Sequence, residues 1–158
     1  TSGGNAAART RAADDLVISG SAFSSFFNGS EGTFYIEAVD RDVSGGAHAY
    51  IAGQGTSQFF LYKNNGAGSL YNFDGVNLLY FSGLVSNQLF RAAVSYKTGV
   101  SPAPSVKSLS LDGTTTTDEP YNDNFASTNI LKIGSGYTNV FSGHFRRIIY
   151  WPYSSERL

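Results

Sequence analysis

The sequence predicts an all-β domain, a two-sheet antiparallel jelly-roll sandwich. Three observations predict it. Apolar and polar residues alternate with the period of two that marks a half-buried strand over most of the chain. Turn signals recur about every ten residues, the spacing of sandwiches and barrels. The composition supplies core and corners together: 15% aromatic, with 12 Phe and 10 Tyr, and 18 Gly, but only 15% charged, against roughly 25% in an ordinary domain.

Residues 1–13 are small, polar and mildly basic, through Arg9 and Arg11, and read as a linker or lead-in. The sandwich domain occupies 14–158. A first short strand covers 16–19. A second is expected over 23–27, ending at the Asn28-Gly29 turn. Residues 33–40 alternate strictly, with Phe34, Ile36 and Ala38 on one face and Tyr35 and Glu37 on the other. In 47–52, Ala47, Ala49 and Ile51 are assigned to the core, and His48 and Tyr50 to the opposite face. The aromatic run 58–63 turns through Asn64-Asn65-Gly66 into 69–73.

Asp74-Gly75 separates that strand from 76–81. Asp-Gly supplies the positive φ of a type I′ hairpin. The long strand 88–97 places Phe90, Ala92, Val94 and Tyr96 on one side and Arg91, Ala93, Ser95 and Lys97 on the other. Pro102 and Pro104 forbid a central strand after it. Strand 106–111 stops at Asp112-Gly113, and 114–129 reads as polar and irregular. Strands 130–133 and 143–151 close the fold, and Pro152 ends the pairing. No helix is predicted, and no repeat of 20–50 residues is visible.

Composition excludes several classes. The net charge is −1, so no field steers the domain onto nucleic acid. No apolar run approaches the ~20 residues of a membrane span, and no membrane insertion is expected. Absence of Cys removes disulfide scaffolds and Cys-based zinc sites. The chain lacks Met and starts Thr1-Ser2, so it reads as a module of a longer protein. Leu158 follows the last strand closely, as in a C-terminal module.

Several segments together resemble a known family. They are Arg11-Ala12-Ala13-Asp14, Ser30-Glu31-Gly32-Thr33-Phe34-Tyr35-Ile36-Glu37, Arg91-Ala92-Ala93-Val94-Ser95-Tyr96 and Ser110-Leu111-Asp112-Gly113. Leu131-Lys132-Ile133-Gly134-Ser135 follows. The last is Phe141-Ser142-Gly143-His144-Phe145-Arg146-Arg147-Ile148-Ile149-Tyr150-Trp151-Pro152. In this order they are similar to the concanavalin A-like, laminin G-like modules at the C-termini of bacteriophage tail fibres and related phage structural proteins. The resemblance implies a receptor- or glycan-binding module on a virion surface, outside the cell. It also implies a host surface glycan as partner, attachment to a longer virion protein, and a homo-oligomer, a trimer in particular.

The residues argue against catalysis. Glycoside hydrolysis needs two carboxylates flanking one bond. Glu37 and Asp40 are three apart on a strand and point to opposite faces, while Asp42 belongs to the turn before Gly45-Gly46. A Ser-His-Asp triad would have to use His48 or His144, and no G-x-S-x-G elbow is present. No cofactor is expected. The loop 118–124 (Asp-Glu-Pro-Tyr-Asn-Asp-Asn) offers oxygen ligands suited to Ca²⁺, or is an ordinary solvated loop.

Carbohydrate binding fits better. Flat aromatic faces cover sugar C–H surfaces, and planar polar groups satisfy hydroxyls. Six residues on non-core strand faces offer this mixture: Tyr35, Glu37, His48, Tyr50, Tyr62 and Arg91. They form one surface if their strands share a sheet. Otherwise they decorate solvated faces, or pair internally as Glu37 with Arg91. A loop site using Asn64, Asn65, Tyr71 and Asp74 is the alternative.

Arg146-Arg147 should face opposite ways, one of them inward and paired with Glu37 or Asp40. Asn28-Gly29-Ser30 fits a glycosylation sequon, but a turn explains it better. The doublets Phe26-Phe27 and Phe59-Phe60 put a ring on each face of a strand, as an oligomer interface would need. A structural capsid-decoration or fibre-capping module is therefore the alternative function.

Overall fold

The computed structural model describes residues 16–53, 58–64, 68–101, 103–122, 125, 128–135 and 141–153. In chain order the elements are β1 (Leu16–Ser19), α1 (Gly20–Ser24), β2 (Glu31–Asp40), β3 (His48–Ala52), β4 (Phe59–Lys63), β5 (Ser69–Phe73) and β6 (Leu78–Ser82). They continue with β7 (Leu89–Lys97), β8 (Val106–Leu111), β9 (Thr114–Thr115), β10 (Glu119–Pro120), β11 (Ile130–Ile133) and β12 (Gly143–Trp151). One sheet runs β1-β11-β3-β4-β5-β6 and the other β10-β8-β7-β2-β12, with β9 added to β8. All pairings are antiparallel. The fold is the two-sheet antiparallel jelly-roll sandwich the sequence predicts.

The core lies between the sheets because each contributes one apolar face. Phe34, Ile36 and Ala38 of β2, Val94 and Tyr96 of β7 and Leu109 of β8 meet Tyr50 and Ile51 of β3, Phe60 and Leu61 of β4 and Leu70 of β5. Rings interlock across the gap: Phe34 to Phe60 at 4.4 Å and Phe60 to Phe125 at 4.2 Å between centroids.

Local chemistry departs from the expected pattern in three places. Residues 23–27 are not a strand. Gly20 takes φ +61 after Ser19, and a single helical turn follows. Phe23, Phe26 and Phe27 then stand at i, i+3 and i+4, on one side. Phe23 is buried, Phe27 stacks on it at 4.4 Å, and Phe26 meets Tyr150 edge-on. The Phe26-Phe27 doublet is thus absorbed within the chain and gives no ground for an oligomer interface.

The β5–β6 connection is a four-residue loop, since Phe73 pairs with Leu78. Only Gly75 there has positive φ. Asp74 accepts the N–H groups of Val76 and Asn77 through its side chain, an Asx turn in place of the type I′ hairpin. The two-residue hairpin occurs instead at Asp112-Gly113, both with positive φ, where Leu111 pairs with Thr114. Within 114–129, read as irregular, Thr114–Thr115 and Glu119–Pro120 extend the second sheet beside β8. Residues 1–13, the expected lead-in, lie outside the described residues.

Candidate functional site

The two sheets divide the six sequence-derived binding residues. Tyr35 and Glu37 stand on β2 and Arg91 on β7, in the second sheet; His48 and Tyr50 stand on β3 and Tyr62 on β4, in the first. The single surface the sequence suggested does not form.

His48 and Tyr50 are buried at 3% and 0% exposure. The pairing of β3 with β4 slips between Ala49 and Ile51 and again between Ile51 and Ala52. At such bulges alternation breaks, so Tyr50 and Ile51 both turn inward, and His48 with them. Ala49 and Ala52 face out instead, beside Tyr62. The inward side chains close a polar cluster: Tyr50 donates to Asp40 Oδ2 at 2.7 Å and His48 Nε2 lies 2.8 Å from the same oxygen. These residues hold the core and are not open to a glycan.

Tyr62 is buried at 7% on the outer face of the first sheet, where it stacks on Tyr71 at 5.3 Å, and Tyr71 stacks on Tyr80 at 5.6 Å. The loop alternative also disperses. Tyr71 is a strand residue, and Asp74 is fully buried, 3.2 Å from Lys107. Asn65 lies outside the described residues.

The other three come together on the outer face of the second sheet. In β2, Phe34 and Ile36 fill the core, so Tyr35 and Glu37 project outward; in β7, Phe90 and Ala92 do the same for Arg91. Glu37 and Arg91 are direct register partners. Tyr35 donates its hydroxyl to Glu37 Oε1 at 2.8 Å, and Arg91 Nε lies 3.5 Å from the same oxygen. The Arg91 side chain stays 56% exposed, the Glu37 side chain 14%.

Two residues of β12 complete this cluster: Arg147, which the sequence paired with Glu37 or Asp40 but turned inward, and Trp151, which it did not name. Arg147 is the register partner of Glu37 on the side away from Arg91, so the three form an Arg–Glu–Arg row across adjacent strands. Trp151 meets Tyr35 at 6.3 Å between ring centroids. A bulge between Phe145 and Arg147 explains the miss. Phe145 packs inward, so strict alternation would send Arg147 inward too. The inserted Arg146 resets the parity, and both arginines are exposed. Neither is buried or paired with Asp40.

The electrostatics follow from these contacts. The Tyr35 hydrogen bond holds the Glu37 carboxyl below its ordinary range; partial burial opposes this, and Arg147 and Arg91 reinforce it. Burial first, then the hydrogen bond to Glu37, pushes the Tyr35 phenol up. Both groups therefore keep one protonation state near neutral pH. On one side of Tyr35 stand two small, buried residues, its register partner Ala93 of β7 and then Ser110 of β8; on the other its register partner is Ile149 of β12. The face thus carries a charged Arg–Glu–Arg row, with Tyr35 one step along β2 and Trp151 beyond Ile149 on β12.

Glu37 faces outward and Asp40 inward, on opposite sides of β2. Among the described residues no group of three His, Asp or Glu gathers as a ligand set. Within the loop read as a calcium candidate, Asn122 donates its N–H to Asp74, and Asp123 and Asn124 lie outside the described residues. Among those residues no helix is long and apolar enough to cross a membrane. Asn28 serves a turn: its Oδ1 accepts from Ser30 N–H and its Nδ2 donates to the Pro152 carbonyl.

No protein-family model and no curated protein matches the chain. Among solved structures it is similar to an alginate lyase, at TM-score 0.45 and 15% identity over 80% of this chain. It is also similar to a galectin from Caenorhabditis elegans (0.45, 12%, over 87% of this chain and 93% of the galectin). A tetrameric galectin from the ball sponge Cinachyrella gives 0.43 and 14%, over 85% of this chain and 97% of that one. The chain spans 63% of the length of the alginate lyase.

Proposed function

We propose that the domain is a non-enzymatic carbohydrate-binding module that recognises a host cell-surface polysaccharide from the end of a phage appendage. The observation that carries the carbohydrate reading is the cluster on the outer sheet face, in which Arg91 and Arg147 are exposed and Tyr35, Glu37 and Trp151 half-buried. Two rings offer surface to sugar C–H groups, guanidinium groups donate to hydroxyls, and Glu37 Oε2 accepts. The phage setting is supported by the resemblance of the chain's segments to tail-fibre modules. Calorimetric titration of the folded domain with host surface polysaccharide tests the proposal. Saturable binding is expected, weakened about tenfold by Trp151→Ala. Failure of a folded, native-state domain to bind would sink it.

A second reading, a structural module working through protein contacts, is favoured by one observation. The outer face of β5 and β6 is apolar, with Leu78 and Tyr80 49% and 60% exposed and Val76 beside them in the turn at 63%. Sedimentation of the wild type and of Tyr80→Ser separates the readings, since only the structural one expects the assembly state to depend on Tyr80.

A further inference from the structure

The cationic row is more than a carbohydrate face requires. Neutral sugars offer hydroxyls, which are satisfied by amides, carboxylates and one guanidinium as well as by two. Here Arg91 and Arg147 flank one carboxylate from opposite strands. Glu37 is largely enclosed and already engaged by Tyr35. It balances one of the two positive charges and leaves the other facing solvent. Arg146, exposed at the bulge, adds a third cation within the same strand. The nearby acid is Asp112, whose Oδ1 accepts the Arg91 backbone N–H. Three arginines against Glu37 and Asp112 leave a surplus of one positive charge (3 − 2), in a chain whose overall charge is −1.

Each guanidinium presents planar paired donors that match an oxyanion in a way a lone hydroxyl does not. The strand spacing places the roots of Arg91 and Arg147 ~10 Å apart, two inter-strand steps. Both flank Glu37, and Tyr35 lies one step along β2 on the same face.

We propose that this face selects anionic polysaccharide, a sugar chain bearing carboxylate or sulfate groups, with Arg91 and Arg147 contacting the oxyanion and Tyr35 and Trp151 the ring. The inference rests on the carbohydrate reading above and narrows it to a chemical class. The bulge at Arg146 then has a functional consequence, because it alone turns Arg147 to the solvent side of β12.

The test is calorimetric titration of the intact domain with polygalacturonate, dextran sulfate and uncharged dextran, each at low and high salt. The expected result is binding of a charged chain at least ten times tighter than dextran, weakening as salt rises. Which charged chain binds separates a carboxylate from a sulfate ligand. Arg147→Gln and Arg91→Gln should each reduce that affinity about tenfold, as loss of one charge-assisted contact implies. Arg147→Lys should restore part of it. Lys132→Gln, the same charge change on a strand of the other sheet, should leave it unaltered. Equal, salt-insensitive binding of dextran and the charged chains overturns the anion selectivity and leaves the carbohydrate reading standing. Equal losses in Lys132→Gln and Arg147→Gln overturn the assigned site. No binding of any of the three chains overturns the anion selectivity, and the carbohydrate reading then stands or falls on the host polysaccharide titration.

Discussion

Asp40 shows how single residues set the balance of this domain. It ends β2 with its side chain in the core, fully buried. Burial opposes its ionisation, but the close imidazole of His48 and the hydrogen bonds from Tyr50 and the Asp42 N–H outweigh that and hold its carboxyl below the ordinary range. Asp74 follows the same logic. Burial is countered by the N–H groups of Asn77, Val76 and Asn122 and by the Lys107 charge. A carboxylate whose folded pKa is depressed stabilises the fold fully above its unfolded pKa, about 3.9, and that contribution fades as pH falls through the folded value. Urea denaturation between pH 2 and 7 should therefore show stability declining below about pH 4. In Asp40→Asn both the neutral-pH stability and the steepness of that decline should drop. An unchanged acid limb in the variant would contradict the assignment. The sequence marked His48 and Tyr50 as notable, but their role is to anchor this carboxylate. Alternation could not show it, because the bulge in β3 is invisible in composition.

At the scale of elements, several strands were legible to the residue, though β2 begins at Glu31, two residues before the expected start. Those at 69–73, 106–111, 130–133 and 143–151 match the expected bounds. The 23–27 segment was not, because consecutive phenylalanines suit one side of a helical turn as well as two faces of a strand. The Glu37–Arg91 pairing was anticipated from charge and opposite position, and the register delivers it. The Arg147 position was not, since one inserted residue inverts everything downstream of it. That dependence can be measured. Deleting Arg146 restores strict alternation and turns either Phe145 or the Ile148–Tyr150 pair away from the core. The expected cost is about 3 kcal/mol or more, against less than ~1 kcal/mol for Arg146→Ala, which keeps the bulge. Thermal melts of the two variants check it; equal stability would mean the strand re-registers freely.

At the scale of the whole molecule, a second buried polar tie joins the sheets besides the Tyr50–Asp40 bond. Lys107 of β8, in the second sheet, reaches across to the β5–β6 turn of the first. Its Nζ lies 3.2 Å from Asp74 Oδ2 and 2.6 Å from the Asn77 carbonyl, with both charged side chains fully buried. Removing one partner strands the other's charge, so Lys107→Met should cost about 3–5 kcal/mol. The Lys107→Met/Asp74→Leu double variant should recover part of that loss. Chemical denaturation of the single and double variants gives the coupling directly, and additive losses would show that the pair does not act as a unit.

The sequence by itself determined the all-β class, most strand positions, the turn residues and the apolar inventory of the core. Each of these depends on neighbours along the chain, through side-chain period and backbone preference. Only the tertiary structure decided which strands share a sheet, and with it which candidate residues meet. Tyr35, Glu37 and Arg91 were read from the same alternation as His48, Tyr50 and Tyr62. The first three share a solvent face because β2 lies beside β7, while β3 and β4 belong to the opposite layer. Strand partnership in a jelly roll is set by long-range packing of whole faces, and bulges in β3 and β12 then set which side each residue presents. Neither is encoded in any local window, so the site could be read only once the sheets were assembled.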